Sequence, residues 1–200
     1  YQCLFSIADL QPNSQVLIHA GASGVGTAAI QLAKSLGCHV SVTVGNDDKA
    51  AMCKTLGADE TINYQRTDFV AWSKQQKRSY DVILDVVAGE YVSRNIDVCA
   101  LDGHIVVISL LGGRFAEKID VGKTLAKRVN IHATTLRSRT DDYKTQLIKA
   151  FTQNFYSCLV QEKLKPVIHQ QFAWQEVERA HQVMLDNQNI GKIILKVDHE

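Results

Sequence analysis

Apolar residues come along this chain in two alternating rhythms: short unbroken runs, and longer stretches at helical spacing. The run Val16, Leu17, Ile18, just ahead of Ala20, is too short for a helix and rich in β-branched residues. It predicts a strand buried on both faces, as in a parallel sheet. Thr27–Leu36 then carries apolar residues at helical spacing until Gly37 stops it. HVSVTV (39–44) predicts a second strand, Lys49–Leu56 a helix ended by Gly57, and ETIN (60–63) a third strand. Asp47 or Asp48 is the expected N-cap of that helix. Asp68–Gln76 predicts a helix, DVILDVV (81–87) a strand, Tyr91–Ala100 a helix and GHIVVISLL (103–111) a strand. Val121–Lys127 predicts a short helix and NIHATTL (130–136) a strand. Repeated β-helix-β units with short joints imply an α/β fold built on a doubly wound parallel sheet.

The pattern changes near Ser138. A long amphipathic helix, Asp141–Leu159, leads to KPVIHQQF (165–172), a helix Trp174–Leu185 and a last strand Lys192–Val197. The expected division is a dinucleotide-binding domain over 1–140 and a C-terminal return segment over 141–200 that belongs with something else. The opening residues, YQCLFSIADL, read as the end of a helix.

Between the first strand and its helix lie Gly21, Ser23, Gly24 and Gly26. A strand, a glycine turn and a helix present free backbone N–H groups and a positive dipole end to an anion, and a pyrophosphate is the expected guest. Gly21 is expected to permit the tight turn, Gly24 to clear the phosphate's approach and Gly26 to let the helix pack close to the strand. Ser23 stands where the middle glycine of G-x-G-x-x-G would be. A nucleophile elbow fails because Val25 replaces its last glycine. A Walker loop fails because no lysine precedes Thr27. With strand before and helix after, the loop reads as the phosphate turn of a Rossmann fold.

Composition narrows the class. At 200 residues, 46% hydrophobic and 22% charged, the chain is globular with ample core. A net charge of +1 gives no reason to expect nucleic acid, and no apolar run approaches a membrane span. Five cysteines, none in C-x-x-C, and seven scattered histidines give neither a disulfide framework nor a metal motif; the expected setting is a reducing cytoplasm. His19, inside the first strand, reads as a packed strand histidine.

VLIHAGASGVGTAAIQLAK, LGADETINY, ALDGHIVVISLLGG and AHQVM…NIGKIIL, in this order and spacing, resemble the zinc-independent quinone oxidoreductase branch of the medium-chain dehydrogenase/reductase superfamily. The resemblance covers essentially the whole chain. It implies a Rossmann domain that carries the cofactor, preceded by a GroES-like domain that this sequence does not include, a homodimer, no metal, and a small quinone or α,β-unsaturated carbonyl as hydride acceptor. It equally fits an enoyl reductase, including a polyketide-synthase domain. A non-catalytic NADPH-binding module is the rival from another class.

The cofactor follows from the second strand's end. An NAD enzyme usually places Asp or Glu there, roughly 20 residues past the glycines. Here the corner is Val44-Gly45-Asn46, with Lys49 close behind. A small corner leaves room for a 2′-phosphate and a lysine can neutralise it, so NADPH is expected. The same missing acid argues against a methyltransferase. By resemblance Lys49 and Tyr64 meet that phosphate, Leu110 and Leu136 flank the nicotinamide, and Asn187 is either a cofactor contact or a helix cap. Arg137 and Arg139 read as surface residues. The candidate cofactor contacts are Gly21, Ser23, Gly24, Val25, Gly26, Gly45, Asn46, Lys49, Tyr64, Leu110 and Leu136. No catalytic residue and no metal ligand is expected.

Overall fold

The computed structural model describes residues 1–197. A π-helical segment, Gln2–Ile7, opens the chain. Then follow β1 (Gln15–Ile18), α1 (Gly24–Ser35), β2 (His39–Val44), α2 (Asp47–Thr55), β3 (Glu60–Asn63), α3 (Phe69–Gln75), β4 (Tyr80–Asp85), α4 (Tyr91–Val98) and β5 (Cys99–Val107). After them come α5 (Val121–Lys127), β6 (Asn130–Ala133), α6 (Asp141–Val160), β7 (Ile168–Ala173), α7 (Val177–Leu185) and β8 (Lys192–Lys196). Six strands form one parallel sheet in the order β3-β2-β1-β4-β5-β6, and β7 and β8 form a separate parallel pair. This is the doubly wound α/β sheet that the alternating pattern predicts.

The unbroken apolar run of β1 has its reason in the two layers. Val16 and Ile18 pack with Ile30, Val40, Val42 and Leu84 on one face, and Leu17 packs with Ile62, Phe69, Tyr80 and Ile83 on the other. Residues beyond 141 share the first of these cores: Phe155 and Leu164 are buried in it. Phe155 also stands edge-on to Phe5, with ring centroids 5.1 Å apart.

Several boundaries differ from the sequence reading. Helix α1 begins at Gly24 rather than Thr27, because the Ser23 hydroxyl oxygen caps it and accepts from the Gly26 amide at 2.9 Å. The cap of α2 is Asn46, whose Oδ1 accepts from the Lys49 amide at 2.8 Å, and not Asp47 or Asp48. Those two acids occupy the first helical turn, where their charge suits the dipole. Strand β4 stops at Asp85 because its carboxylate takes the Val87 and Ala88 amides that a strand would need. Strand β5 starts earlier than expected, at Cys99, and its pairing with β4 shifts register between Tyr80 and Val82. Among the described residues no helix is long and apolar enough to cross a membrane.

Candidate dinucleotide site

Ligands of open α/β sheets bind past the carboxyl ends of the strands, where the winding direction reverses. Here that point lies between β1 and β4. A cavity of about 670 Å³ opens there. Ala20 to Gly24 bring one side of it, Thr43 to Gly45 with Lys49 and Tyr64 a second, and Val87, Tyr91, Leu111 and Gly112 a third. The fourth comes from the far end of the chain: Met184, Asn187, Asn189, Gly191, Lys192 and Ile193. Another cavity, of about 490 Å³, sits at the opposite, amino-terminal end of the strands between residues 8–14 and 101–104. Strand polarity makes the first the candidate binding site.

The loop is built differently from the sequence expectation. The left-handed residue of the turn is Ala20 (φ 53°), not Gly21. Gly21 is required because a Cβ there would lie 2.6 Å from Val42 Cβ on β2. Gly26 faces the loop and not the strand: a Cβ would collide with the Ala20 and Gly21 carbonyl oxygens. Gly24 is crossed by the Lys192 side chain, whose Nζ would stand 2.7 Å from a Cβ at that position. An ammonium is thus held beside the amino terminus of a helix of 12 residues. Two positive ends side by side are unfavourable unless an anion sits between them.

The β2 corner is closed to a carboxylate. A Cβ on Gly45 would lie 2.7 Å from the Tyr64 hydroxyl. Asp47 turns away, accepting from Arg66 at 3.0 Å. Lys49 is only 6% exposed, and burial pulls its pKa down. Its Nζ donates to the Asn187 carbonyl oxygen at 2.6 Å and to Asn187 Oδ1 at 2.7 Å. Asn187 takes the left-handed conformation (φ 52°) just past α7 and its amide donates to the Met184 carbonyl at 3.1 Å, so the lysine's charge sits at a helix carboxyl terminus. Asn187 thus stands both at the end of a helix and in the cavity wall.

Of the sequence-predicted residues, Ser23, Gly24, Gly45, Lys49 and Tyr64 line this cavity; Gly21, Gly26 and Asn46 shape it from behind. Val25, Leu110 and Leu136 stand exposed outside its lining. Arg139 lies over Tyr143 and donates to Thr134. Sequence reasoning missed Thr43, Tyr91 and, above all, Lys192. The only local signal for Lys192 is the NIGK step before the last strand; it reaches the loop because Gly191 bridges Ser23 and donates to the Ala22 carbonyl at 2.7 Å. Among the described residues no three His, Cys, Asp or Glu side chains converge as a metal-holding group. Burial pushes the Cys53 thiol up to about 11 and the Cys99 thiol up to about 12, so neither is a thiolate at neutral pH.

Comparison with known proteins identifies relatives of this fold. Human quinone oxidoreductase is 27% identical over 198 residues, covering 98% of this chain and 58% of that protein. A low-reducing polyketide synthase of Aspergillus calidoustus is 31% identical over 201 residues, covering 96% of this chain and 8% of the synthase. The crystal structure of Escherichia coli quinone oxidoreductase complexed with NADPH superposes with a TM-score of 0.83 at 26% identity, over 98% of this chain and 60% of that one. The chain thus spans somewhat more than half the length of these oxidoreductases. The family model described as zinc-binding dehydrogenase matches residues 24–153, from the first residue of α1 into α6. The chain belongs to the zinc-binding dehydrogenase family.

Proposed function

We propose that this chain is the cofactor-binding part of an NADPH-dependent oxidoreductase that passes hydride to a quinone or an α,β-unsaturated carbonyl. The observation that carries the reading is the cavity at the strand ends, with a helix amino terminus, two lysines and no acid at the β2 corner. The residues fit the dinucleotide. The α1 amides and Lys192 suit a pyrophosphate, and Lys49 with the Tyr64 hydroxyl suits a 2′-phosphate. Bound NADPH would supply the hydride chemistry. The chain's own residues bind, orient and exclude water: Val87, Leu111 and Gly112 form the apolar wall at the β4 and β5 ends, where the nicotinamide would lie. The zinc of the family's description has no ligand set among the described residues, and no step is assigned to it. No catalytic residue is assigned to this chain.

The 31% identity to a polyketide synthase supports a second reading of the same site, an enoyl reductase domain. Both readings share the cofactor and differ in the acceptor. A homodimer in the cytoplasm accompanies the proposal. Bare apolar side chains on α5 and β6, among them Val121, Leu125 and Ile131, support self-association. The test is fluorescence titration of the chain with NADPH and NADH, followed by NADPH consumption with quinone and enoyl-thioester acceptors in the protein that includes the substrate domain. Tighter binding of NADH by the chain would overturn the cofactor assignment. Turnover of the thioester but not the quinone would select the enoyl reductase.

A further inference from the structure

Beneath the cavity floor runs a chain of buried polar side chains that the proposed function leaves unused. Asp85 Oδ1 accepts from the amides of Val87 (2.7 Å) and Ala88 (2.9 Å), and its Oδ2 accepts from Asn95 Nδ2 (2.9 Å). Asn95 Oδ1 lies 2.8 Å from His19 Nε2, and His19 Nδ1 lies 3.1 Å from Thr43 Oγ1. Thr43 Oγ1 in turn accepts from the Ala20 amide at 3.2 Å. His19, Asp85 and Asn95 are fully buried and Thr43 is 1% exposed. The imidazole is wedged between Phe69 and Tyr91, edge to face, with both centroids 4.9 Å away.

With a neutral imidazole, donors and acceptors in this chain sort in one way. Asn95 turns its NH₂ to Asp85 and its carbonyl oxygen to His19. His19 must then carry its proton on Nε2, which leaves Nδ1 to accept the Thr43 hydroxyl proton. The Thr43 oxygen is thereby free to receive the Ala20 N–H. Ala20 is the left-handed residue that turns the chain from β1 into the glycine loop, and it needs its surroundings to hold it there. The three strand ends joined are those of β1, β2 and β4, and Ala20, Thr43 and Val87 all face the cavity.

We propose that His19, as its neutral Nε2–H tautomer, is a positioning residue of the dinucleotide site: through Thr43 it fixes the Ala20 amide and with it the pitch of the loop that receives the pyrophosphate. The proposal rests on the dinucleotide reading. It makes an unusual demand on substitutes. Asparagine at 19 places an oxygen near the Nδ1 position and keeps the link to Thr43. Glutamine is closer in volume but places its amide near the Nε2 position and loses that link.

The test combines nitrogen NMR of the His19 imidazole, hydrogen exchange of the Ala20 amide, and NADPH titration of wild type, His19→Asn, His19→Gln, Thr43→Ser and Thr43→Val. The expected spectrum is an Nε2–H tautomer. Thr43→Val and His19→Gln should speed Ala20 exchange and weaken NADPH binding roughly 10- to 100-fold, while Thr43→Ser and His19→Asn stay within about threefold. An Nδ1–H tautomer, Ala20 exchange untouched by Thr43→Val, or glutamine outperforming asparagine would overturn the positioning role. The imidazole and amide readouts need no ligand. A wild type with the expected spectrum and exchange but no affinity for either dinucleotide would therefore overturn the functional reading, leaving His19 as an anchor of the loop alone.

Discussion

Replacing Lys49 by methionine separates NADPH from NADH, and the structure sets how far. The side chain is buried, so methionine keeps most of its packing and removes only the ammonium. A unit charge about 4 Å from a phosphate charge gains about 4 kcal/mol at an effective dielectric of about 20. That gain is not realised in full, because Lys49 must exchange its bonds to the Asn187 carbonyl and Oδ1, at 2.6 and 2.7 Å, for phosphate oxygens. The net loss for NADPH should be that of one charge-assisted hydrogen bond, about 1.5–3 kcal/mol, or roughly 10- to 150-fold in Kd. NADH has no phosphate at that corner and should change by less than about threefold. Fluorescence titration of both nucleotides against wild type and Lys49→Met measures the difference directly. Asn187→Gly, which tolerates the left-handed backbone but deletes one competing acceptor, should leave NADPH affinity equal or slightly higher. If Lys49→Met weakens NADH as much as NADPH, the lysine serves only to clamp α7 against α2, and the corner does not read the phosphate.

Gly24→Val should retain the fold, because the nearest atoms to a Cβ there belong to the flexible end of Lys192, yet lose both dinucleotides in titration. Lys192→Met should weaken NADPH and NADH alike, by about 1–3 kcal/mol, and flatten the salt dependence of binding; a selective effect on NADPH would place Lys192 at the 2′-phosphate instead. Burial lowers the pKa of His19 below its ordinary 6.5, against the opposing pull of Asp85 and with a smaller push from Arg94. The unfolded chain therefore binds the proton first, and stability present above pH 6.5 is lost as the pH falls below it, by up to about 1.4 kcal/mol per pH unit from this residue. Urea unfolding at pH 7.5 and 5.5 should show that loss, reduced in His19→Asn; equal stability at both values would refute it.

The strand, the loop and the first helix were legible in the sequence because their causes are local. A β-branched run and the crowding of Gly26 by the Ala20 and Gly21 carbonyls act within a few residues; the capping role of Ser23, and the partners of Gly21 (Val42) and Gly24 (Lys192), came only with the structure. The parallel sheet was legible too, since apolar runs such as 16–18 need cover on both faces. Where several local choices are nearly equal, the sequence alone could not select. Asn46, Asp47 and Asp48 are all cap formers, and only the end of β2 decided for Asn46. The left-handed turn falls on Ala20, whose amide Thr43 holds, while Gly21 lies against Val42 with no room for a Cβ. The far wall of the site belonged wholly to tertiary structure. Lys49 finds Asn187 across 138 positions of sequence, and Lys192 reaches Gly24 only because Gly191 docks on the loop. Periodicity reports which face of an element is buried; it carries no information about which distant segment supplies the cover, because that is settled by the packing of the whole chain.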